Sequence, residues 1–124
     1  MKKIAIYGRE FNISVLPYVQ TLFNFLNSRG IHLLIVDDFH DFMQENSIHY
    51  TNYETFDSNS QLENDIELML SLGGDGTMLS AVSIVGNSGI PIAGINFGRL
   101  GFLASIQKDE MIQSLEAIFR GEYK

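Results

Sequence analysis

The sequence predicts an α/β domain, a Rossmann-like three-layer αβα arrangement with a mostly parallel sheet. Short apolar runs of strand length alternate along the chain with segments whose apolar residues recur at helical spacing. This alternation favours βαβ units, in which helices cover both faces of a parallel sheet. Two glycine-rich segments, 73–76 and 94–101, directly follow apolar runs. Ligands of such sheets bind beyond the carboxyl ends of the strands, so these two segments are the candidate site.

Four apolar runs have the length and composition of buried strands. Each is short and has a glycine or an acidic residue near one of its ends, and Pro91 is acceptable because proline can occupy the start of a strand. Residues 49–56 are either a further strand or an ordered loop. The four predicted strands are 4–7, 31–36, 66–70 and 90–95.

Apolar residues spaced three and four apart predict helices between and after these strands. Gly30 and Gly121 mark the ends of the first and last helices, and Pro17 must lie in a first turn, with Asn12 or Ser14 as the cap. The four buried stripes are Val15, Val19, Leu22, Phe23 and Leu26; Phe39, Phe42 and Met43; Met78, Leu79, Val82 and Val85; and Met111, Leu115, Ile118 and Phe119.

Composition excludes several classes of function. A length of 124 residues predicts one domain, and a net charge of −7 argues against a nucleic-acid or anionic-membrane surface. The sequence has no cysteine, which excludes disulfides and thiolate metal sites. The N-terminus resembles a first strand and not a signal peptide, and no run approaches the roughly 18 apolar residues of a membrane span. A cytoplasmic protein is therefore expected.

The segment Gly73-Gly74-Asp75-Gly76-Thr77 carries the clearest chemical signal. Glycines between a strand and a helix let backbone N–H groups approach phosphate oxygens, and the helix N-terminus adds partial positive charge. A carboxylate beside phosphates is repelled unless it handles a proton or a metal ion. The segment therefore predicts a phosphoryl-transfer site, although Asp75 could instead serve only as a helix N-cap.

The second segment contains Asn96-Phe97-Gly98-Arg99-Leu100-Gly101-Phe102-Leu103. Taken alone, it is typical of a loop whose glycines permit unusual backbone angles and whose apolar side chains anchor it to the core.

Taken together, the two segments resemble the NAD kinase family, which carries a Gly-Gly-Asp-Gly-Thr turn and, some twenty residues later, an Asn-x-Gly-x-Leu-Gly-Phe-Leu loop. Diacylglycerol-type lipid kinases and, with variation, phosphofructokinases share the first motif, whereas the second separates NAD kinases from both. The resemblance implies a phosphofructokinase/NAD kinase-like fold and covers residues 1–124 as the family's N-terminal α/β domain. The family's C-terminal β-rich domain is absent from this sequence, so a fragment that is inactive by itself is expected.

The resemblance also implies roles for individual residues. Asp75 would accept the proton of the adenosine ribose 2′-hydroxyl of NAD as that oxygen attacks the donor phosphate, giving NADP. The donor would be ATP or a polyphosphate, with a divalent cation, Mg²⁺, bridging the phosphates. Asn96 would contact donor phosphates or hold the turn, and Phe102 would pack against the adenine end of NAD or fill the core. The remaining cofactor-binding residues are Gly73, Gly74, Gly76 and Thr77. No protein ligand for the metal is predicted, and a homo-oligomer is expected for the full-length protein.

Two other functions remain open from the sequence: a lipid kinase of the same superfold, and a nucleotide-binding module without catalysis. Asp37 and Asp38, at the end of the second strand, could meet a ribose or cap a helix. Arg9 and Arg99 lie at the expected active edge, where each could face phosphate or solvent. Many relatives carry a basic residue or histidine where this chain has Ser80, so that ligand role is not assigned here. The three histidines, His32, His40 and His49, lack the spacing of metal ligands.

Overall fold

The sheet determines where the candidate site lies. A computed structural model of the chain describes residues 2–9, 13–59, 62, 65–73, 75–86, 88–97 and 106–121. Within these residues six strands form one sheet in the order β3-β2-β1-β4-β5-β6, and every pairing is parallel. The predicted α/β fold is therefore confirmed. The strands are β1 (Lys3–Gly8), β2 (His32–Val36), β3 (Tyr53–Phe56), β4 (Leu68–Gly73), β5 (Ile92–Asn96) and β6 (Ile106–Gln107).

In the described part of the chain, four α-helices accompany the sheet, and short 3-10 turns precede the first and the last of them. α1 contacts α4, while α3 packs mainly on β4. The strand order reverses between β1 and β4, because β2 and β3 continue to one side of β1 and β5 and β6 to the other side of β4. This reversal is the switch point at which ligands of open α/β sheets bind. The helices are α1 (Leu16–Ser28), α2 (Asp37–Glu45), α3 (Asp75–Val85) and α4 (Met111–Phe119).

The strands differ from the sequence prediction at their ends and in two further strands: β4 and β5 each begin two residues later than predicted, so Pro91 precedes β5. β4 runs on through Gly73, so the first glycine of the motif belongs to the sheet and not to a turn. The ambiguous region before the motif contains a strand, β3, whose residues are mostly exposed because it lies at the sheet edge. The prediction missed β6, a two-residue strand too short to show any periodicity.

The buried face of α3 was predicted partly wrongly. Leu79 and Val82 are 61% and 49% exposed, whereas Thr77, Ala81 and Val85 are buried. α3 has apolar residues on both faces, so spacing alone did not identify the face that packs on the sheet.

The helix starts also differ from prediction. The N-cap of α1 is Val15, with no side-chain cap hydrogen bond, so Ser14 is not the cap; Asn12 lies outside the described residues. Pro17 lies in the first turn as expected. Asp37 and Asp38 occupy the first turn of α2 and the N-cap is Val36, so neither carboxylate caps the helix. Their negative charge is still favourable there because it faces the positive end of the helix dipole.

The pair formed by His32 and Glu54 at the edge of the sheet makes the stability of the fold depend on pH. His32 Nε2 lies 2.6 Å from Glu54 Oε2 and its Nδ1 lies 3.1 Å from Asn52 Oδ1. The hydrogen bond to Glu54 and then that to Asn52 raise the pKa of His32 above its ordinary 6.5. A raised folded-state pKa stabilises the fold below the unfolded-state pKa, and the contribution disappears as pH rises through the folded-state value.

We therefore expect the pair to contribute less than about 1 kcal/mol, as exposed ion pairs do, near pH 6 and nothing near pH 9. Urea unfolding gives the free energy of unfolding of the chain and of its Glu54→Gln variant at both pH values. The difference between the two proteins isolates the pair, because titration of the other histidines contributes equally to both. An equal difference at both pH values would contradict the prediction.

Candidate active site

The carboxyl ends of β4 and β5 bring parts of the two motifs together. Gly73 pairs in register with Asn96, and the Phe97 N–H donates to the Gly73 carbonyl oxygen at 3.4 Å. The last residue of β4 thus adjoins the last residue of β5. The sequence predicted that both glycine-rich segments follow strands, but not that these two strands are neighbours. Both lie beside the switch point, because β4 also pairs with β1.

Gly73 is required by its own backbone and by its neighbour Thr77. Its φ is +149°, a value that L side chains rarely adopt, and a Cβ built on it would lie 2.6 Å from Thr77 Oγ1. Thr77 is 8% exposed, so its side chain cannot move freely away. The turn therefore packs the Thr77 hydroxyl against a backbone that has no room for a side chain.

Asp75 is the first residue of α3, two residues beyond the end of β4 at Gly73. The first N–H groups of a helix have no intrahelical acceptor, and they lie at the positive end of the helix dipole. Among the described residues, a Cβ built on Gly76 would meet nothing within 4 Å, so these residues leave the space beside this first turn open. The Asp75 side chain, Gly74 and Phe102 lie outside what the structure describes.

Asn96 is only 3% exposed, so its side-chain amide is enclosed within the protein. Buried side-chain amides need hydrogen-bond partners inside the fold, and no buried side-chain polar atom of the described residues lacks one. Of the two roles predicted for Asn96, this burial favours holding the end of β5 over direct contact with donor phosphates.

Arg9 connects the end of β1 to α3. Its Nη2 donates to Ser80 Oγ at 2.6 Å and its Nε to the Tyr7 hydroxyl at 3.3 Å, while Ser80 Oγ donates to the Gly76 carbonyl at 3.2 Å. The guanidinium of Arg9 therefore hydrogen-bonds to Ser80, the position to which the sequence assigned no ligand role. Arg9 follows the carboxyl end of β1, the edge at which the sequence placed it. No local pattern could indicate its partner Ser80, which lies 71 residues away.

The described residues form two neighbouring cavities at this edge of the sheet, each of a size suited to part of a nucleotide, and Arg9 lines the first of them. Their volumes are about 360 and 350 Å³, and Tyr7 and Ser58 line both. The first lies at the carboxyl ends of β1 and β2, and the second runs along α3. The other lining residues are Gly8, Arg9, Val36, Asp38 and Phe39 in the first, and Asn59, Ser80, Ser83 and Ile84 in the second.

Neither a metal cage nor a membrane span is found in the part of the chain that the structure describes. It contains no group of three or more histidine, cysteine or acidic side chains that could hold an ion. None of its helices has the length and apolar character needed to cross a bilayer.

Comparison with known proteins identifies the family. The sequence profile of the ATP-NAD kinase N-terminal domain matches residues 4–123. This chain belongs to the ATP-NAD kinase family. It is 42% identical to an NAD kinase of Flavobacterium johnsoniae over 121 residues and 37% identical to one of Bacteroides fragilis over 122. In both comparisons 98% of this chain is covered but only 41% of the relative, so the chain spans about two fifths of the length of these ATP-NAD kinases.

Two solved kinase structures share the fold of this chain. The chain superposes with a TM-score of 0.77 on yeast NADH kinase complexed with NADH, at 18% identity over 98% of this chain and 39% of the other. An NAD kinase from Archaeoglobus fulgidus in complex with ATP gives a TM-score of 0.57 at 20% identity, over 96% of this chain and 38% of the other. At these identities the likeness concerns the fold alone.

Proposed function

We propose that the whole protein transfers the γ-phosphate of ATP, or the terminal phosphate of a polyphosphate, to the 2′-hydroxyl of the adenosine ribose of NAD, giving NADP. One observation carries the proposal: the acid of the family motif begins a helix, beside a glycine strand end, at the switch point of the sheet. Family membership supports the same reaction, and the relatives named above are NAD kinases. Nothing observed favours a lipid kinase.

In the proposed mechanism Asp75 is the general base. It takes the proton of the ribose 2′-hydroxyl while that oxygen forms a bond to the γ-phosphorus, and the bond from this phosphorus to the β–γ bridging oxygen breaks to release ADP. Phosphoryl transfer needs mainly positioning and charge neutralisation, so a single carboxylate that orients the nucleophile is sufficient.

The other predicted site residues would hold the phosphates and the acceptor. Backbone N–H groups of Gly74, Gly76 and the first turn of α3 would bind phosphate oxygens, and Gly73 and Thr77 would fix the shape of the turn. Asn96 would keep the end of β5 beside that of β4, and Phe102 would pack on the adenine of NAD. A divalent cation, Mg²⁺, would neutralise charge on the phosphates during the transfer.

We further propose that residues 1–124 are the N-terminal α/β domain and that the full-length protein adds a β-rich domain and assembles as a homo-oligomer in the cytoplasm. The 124-residue chain should then fold without being an effective enzyme, because it spans only 41% of its relatives' length.

Two measurements test this proposal. NADP formation from NAD and ATP is measured for the full-length protein and for the 124-residue chain, whose folding is checked by circular dichroism. We expect turnover by the full-length protein and essentially none by the folded chain. Absence of NADP formation by the full-length protein would refute the function, and robust turnover by the 124 residues would refute the division into domains.

A further inference from the structure

We propose that the outer surface of α3, formed by Leu79 and Val82, is the docking surface for the part of the full-length protein that follows this domain. Docking there would complete the active site, because α3 begins at Asp75. The inference rests on the proposed function in one respect, since it takes over the division of the full-length protein into two domains.

The outer surface of α3 is apolar although it faces solvent. Leu79 is 61% exposed and Val82 is 49% exposed, and they are neighbours on the helix because they lie three positions apart. Between Gly76 and Val85 the sequence has no charged residue, and its only polar side chains are hydroxyls. The solvent face of a surface helix normally carries charged and polar side chains. This exposed aliphatic pair therefore suits contact with protein better than contact with water.

α3 lies on the less covered face of the sheet. Crossovers between parallel strands are right-handed, so α1 and α2, which lead from β1 through β2 to β3, lie on one face. α3 leads from β4 to β5 in the opposite direction and lies on the other face, whereas α4 contacts α1 and shares its face. In the described part of the chain α3 is thus the only α-helix on its face, and its main neighbours are strands. This leaves room for a further layer over Leu79 and Val82.

The occupant that we assign to this surface is the C-terminal part of the same protein. The matching family profile describes an N-terminal domain, and the chain spans 41% of its relatives' length, so about three fifths of such a protein lies outside it. Two side chains are too small a surface for two separate molecules, each of which contributes roughly 800 Å² to a stable complex. A domain attached to the same chain has a high effective concentration and can dock on a smaller surface.

The outer surface of α3 adjoins the candidate active site. Leu79 lies three residues after Gly76, on the same face of the helix. Gly76 is exposed, and no atom of the described residues would lie within 4 Å of a Cβ built on it. A segment docked on Leu79 and Val82 would therefore border the open space beside the first turn of α3 and exclude water from it. Ligand sites occur preferentially at such interfaces between domains.

Thiol labelling tests the docking, because the 124-residue chain has no cysteine of its own. Leu79→Cys and Val82→Cys are made in this chain and in the full-length protein, and mass spectrometry follows iodoacetamide labelling of the peptide that carries each new thiol. We expect labelling at least about tenfold slower in the full-length protein, because a docked thiol reacts only while the domains are apart. Thr21→Cys, at an exposed position on α1, is the matched control and should react at the same rate in both proteins.

A charge on the outer surface of α3 gives an independent measurement. Leu79→Lys should shift the midpoint of thermal unfolding of the 124-residue chain by less than about 2 °C, because the position is exposed there. It should lower the midpoint of the full-length protein by at least about 5 °C, because docking would bury an unpaired charge. Thr21→Lys, the matched control, should shift neither protein by more than about 2 °C.

Each outcome decides for or against the docking surface. Equal labelling rates of Leu79→Cys in both proteins, equal slowing at Thr21→Cys, or equal shifts of the two midpoints by Leu79→Lys would overturn it. Slow labelling of the 124-residue chain that becomes faster on dilution would also overturn it, because the surface would then bind a second copy.

The same measurements separate the docking surface from the proposed reaction. Protection of both thiols in a full-length protein that forms no NADP would support the docking surface and refute the reaction. NADP formation by a full-length protein whose thiol at position 79 reacts as fast as in the 124-residue chain would refute the docking surface and leave the reaction in place.

Discussion

Replacing Asp75 with asparagine in the full-length protein is expected to abolish NAD phosphorylation, lowering kcat by about 10²–10⁴-fold, the range for loss of a general base. Asparagine keeps the size and polarity of the side chain but cannot take the proton of the ribose hydroxyl. We expect the free energy of unfolding to change by less than about 1 kcal/mol, the scale of one charge at a helix N-terminus. NADP formation at saturating NAD and ATP gives kcat, and urea unfolding gives the stability.

Asp41→Asn serves as the control for this variant because Asp41 is exposed on α2, away from α3. It removes the same charge and should retain turnover. Near-normal kcat in Asp75→Asn would remove the assignment of the base. A large loss of stability in that variant would indicate that the carboxylate serves mainly to hold the turn.

The features that could be predicted from the sequence are local ones. Short apolar runs predict four of the strands, β1, β2, β4 and β5, and apolar residues at regular helical spacing predict α1 and α4. Each of these patterns is complete within about a dozen residues. The motif at 73–77 could be placed at a strand end for the same reason. Its surroundings on the sheet then follow from the general rule for parallel α/β folds.

The features that escaped prediction depend on contacts between distant residues. The exposed face of α3, with Leu79 and Val82, is as apolar as its buried face, and only packing on β4 distinguishes them. The bond between Arg9 and Ser80 joins residues 71 positions apart, so no spacing rule reaches it. Asp38 could be recognised as a candidate ribose contact, but the cavity beside it appears only when β1 and β2 are side by side.

Replacing Gly73 with alanine is expected to destabilise the chain by about 2–5 kcal/mol, the sum of a strained backbone and an overpacked contact. The strain arises because alanine rarely adopts the φ of +149° found here. The overpacking arises because the new methyl carbon would lie 2.6 Å from Thr77 Oγ1 and 3.0 Å from its Cβ. Thr77 is buried and lies on α3, so relief requires α3 to shift away from the end of β4. Urea unfolding of the 124-residue chain measures the loss.

Gly76→Ala separates the structural and the chemical reasons for glycine in this motif. Gly76 lies in the first turn of α3 and has no positive φ, and a Cβ there would meet no atom of the described residues within 4 Å. Alanine should therefore leave stability unchanged or raise it by up to about 1 kcal/mol. The added methyl group would instead occupy the open space in which phosphate oxygens are proposed to approach the first turn of the helix. We therefore expect Gly76→Ala in the full-length protein to lower kcat/KM while the fold remains intact. Equal losses of stability in the two variants would mean that both glycines serve the fold, and unchanged kcat/KM in Gly76→Ala would mean that phosphate does not approach this face of α3.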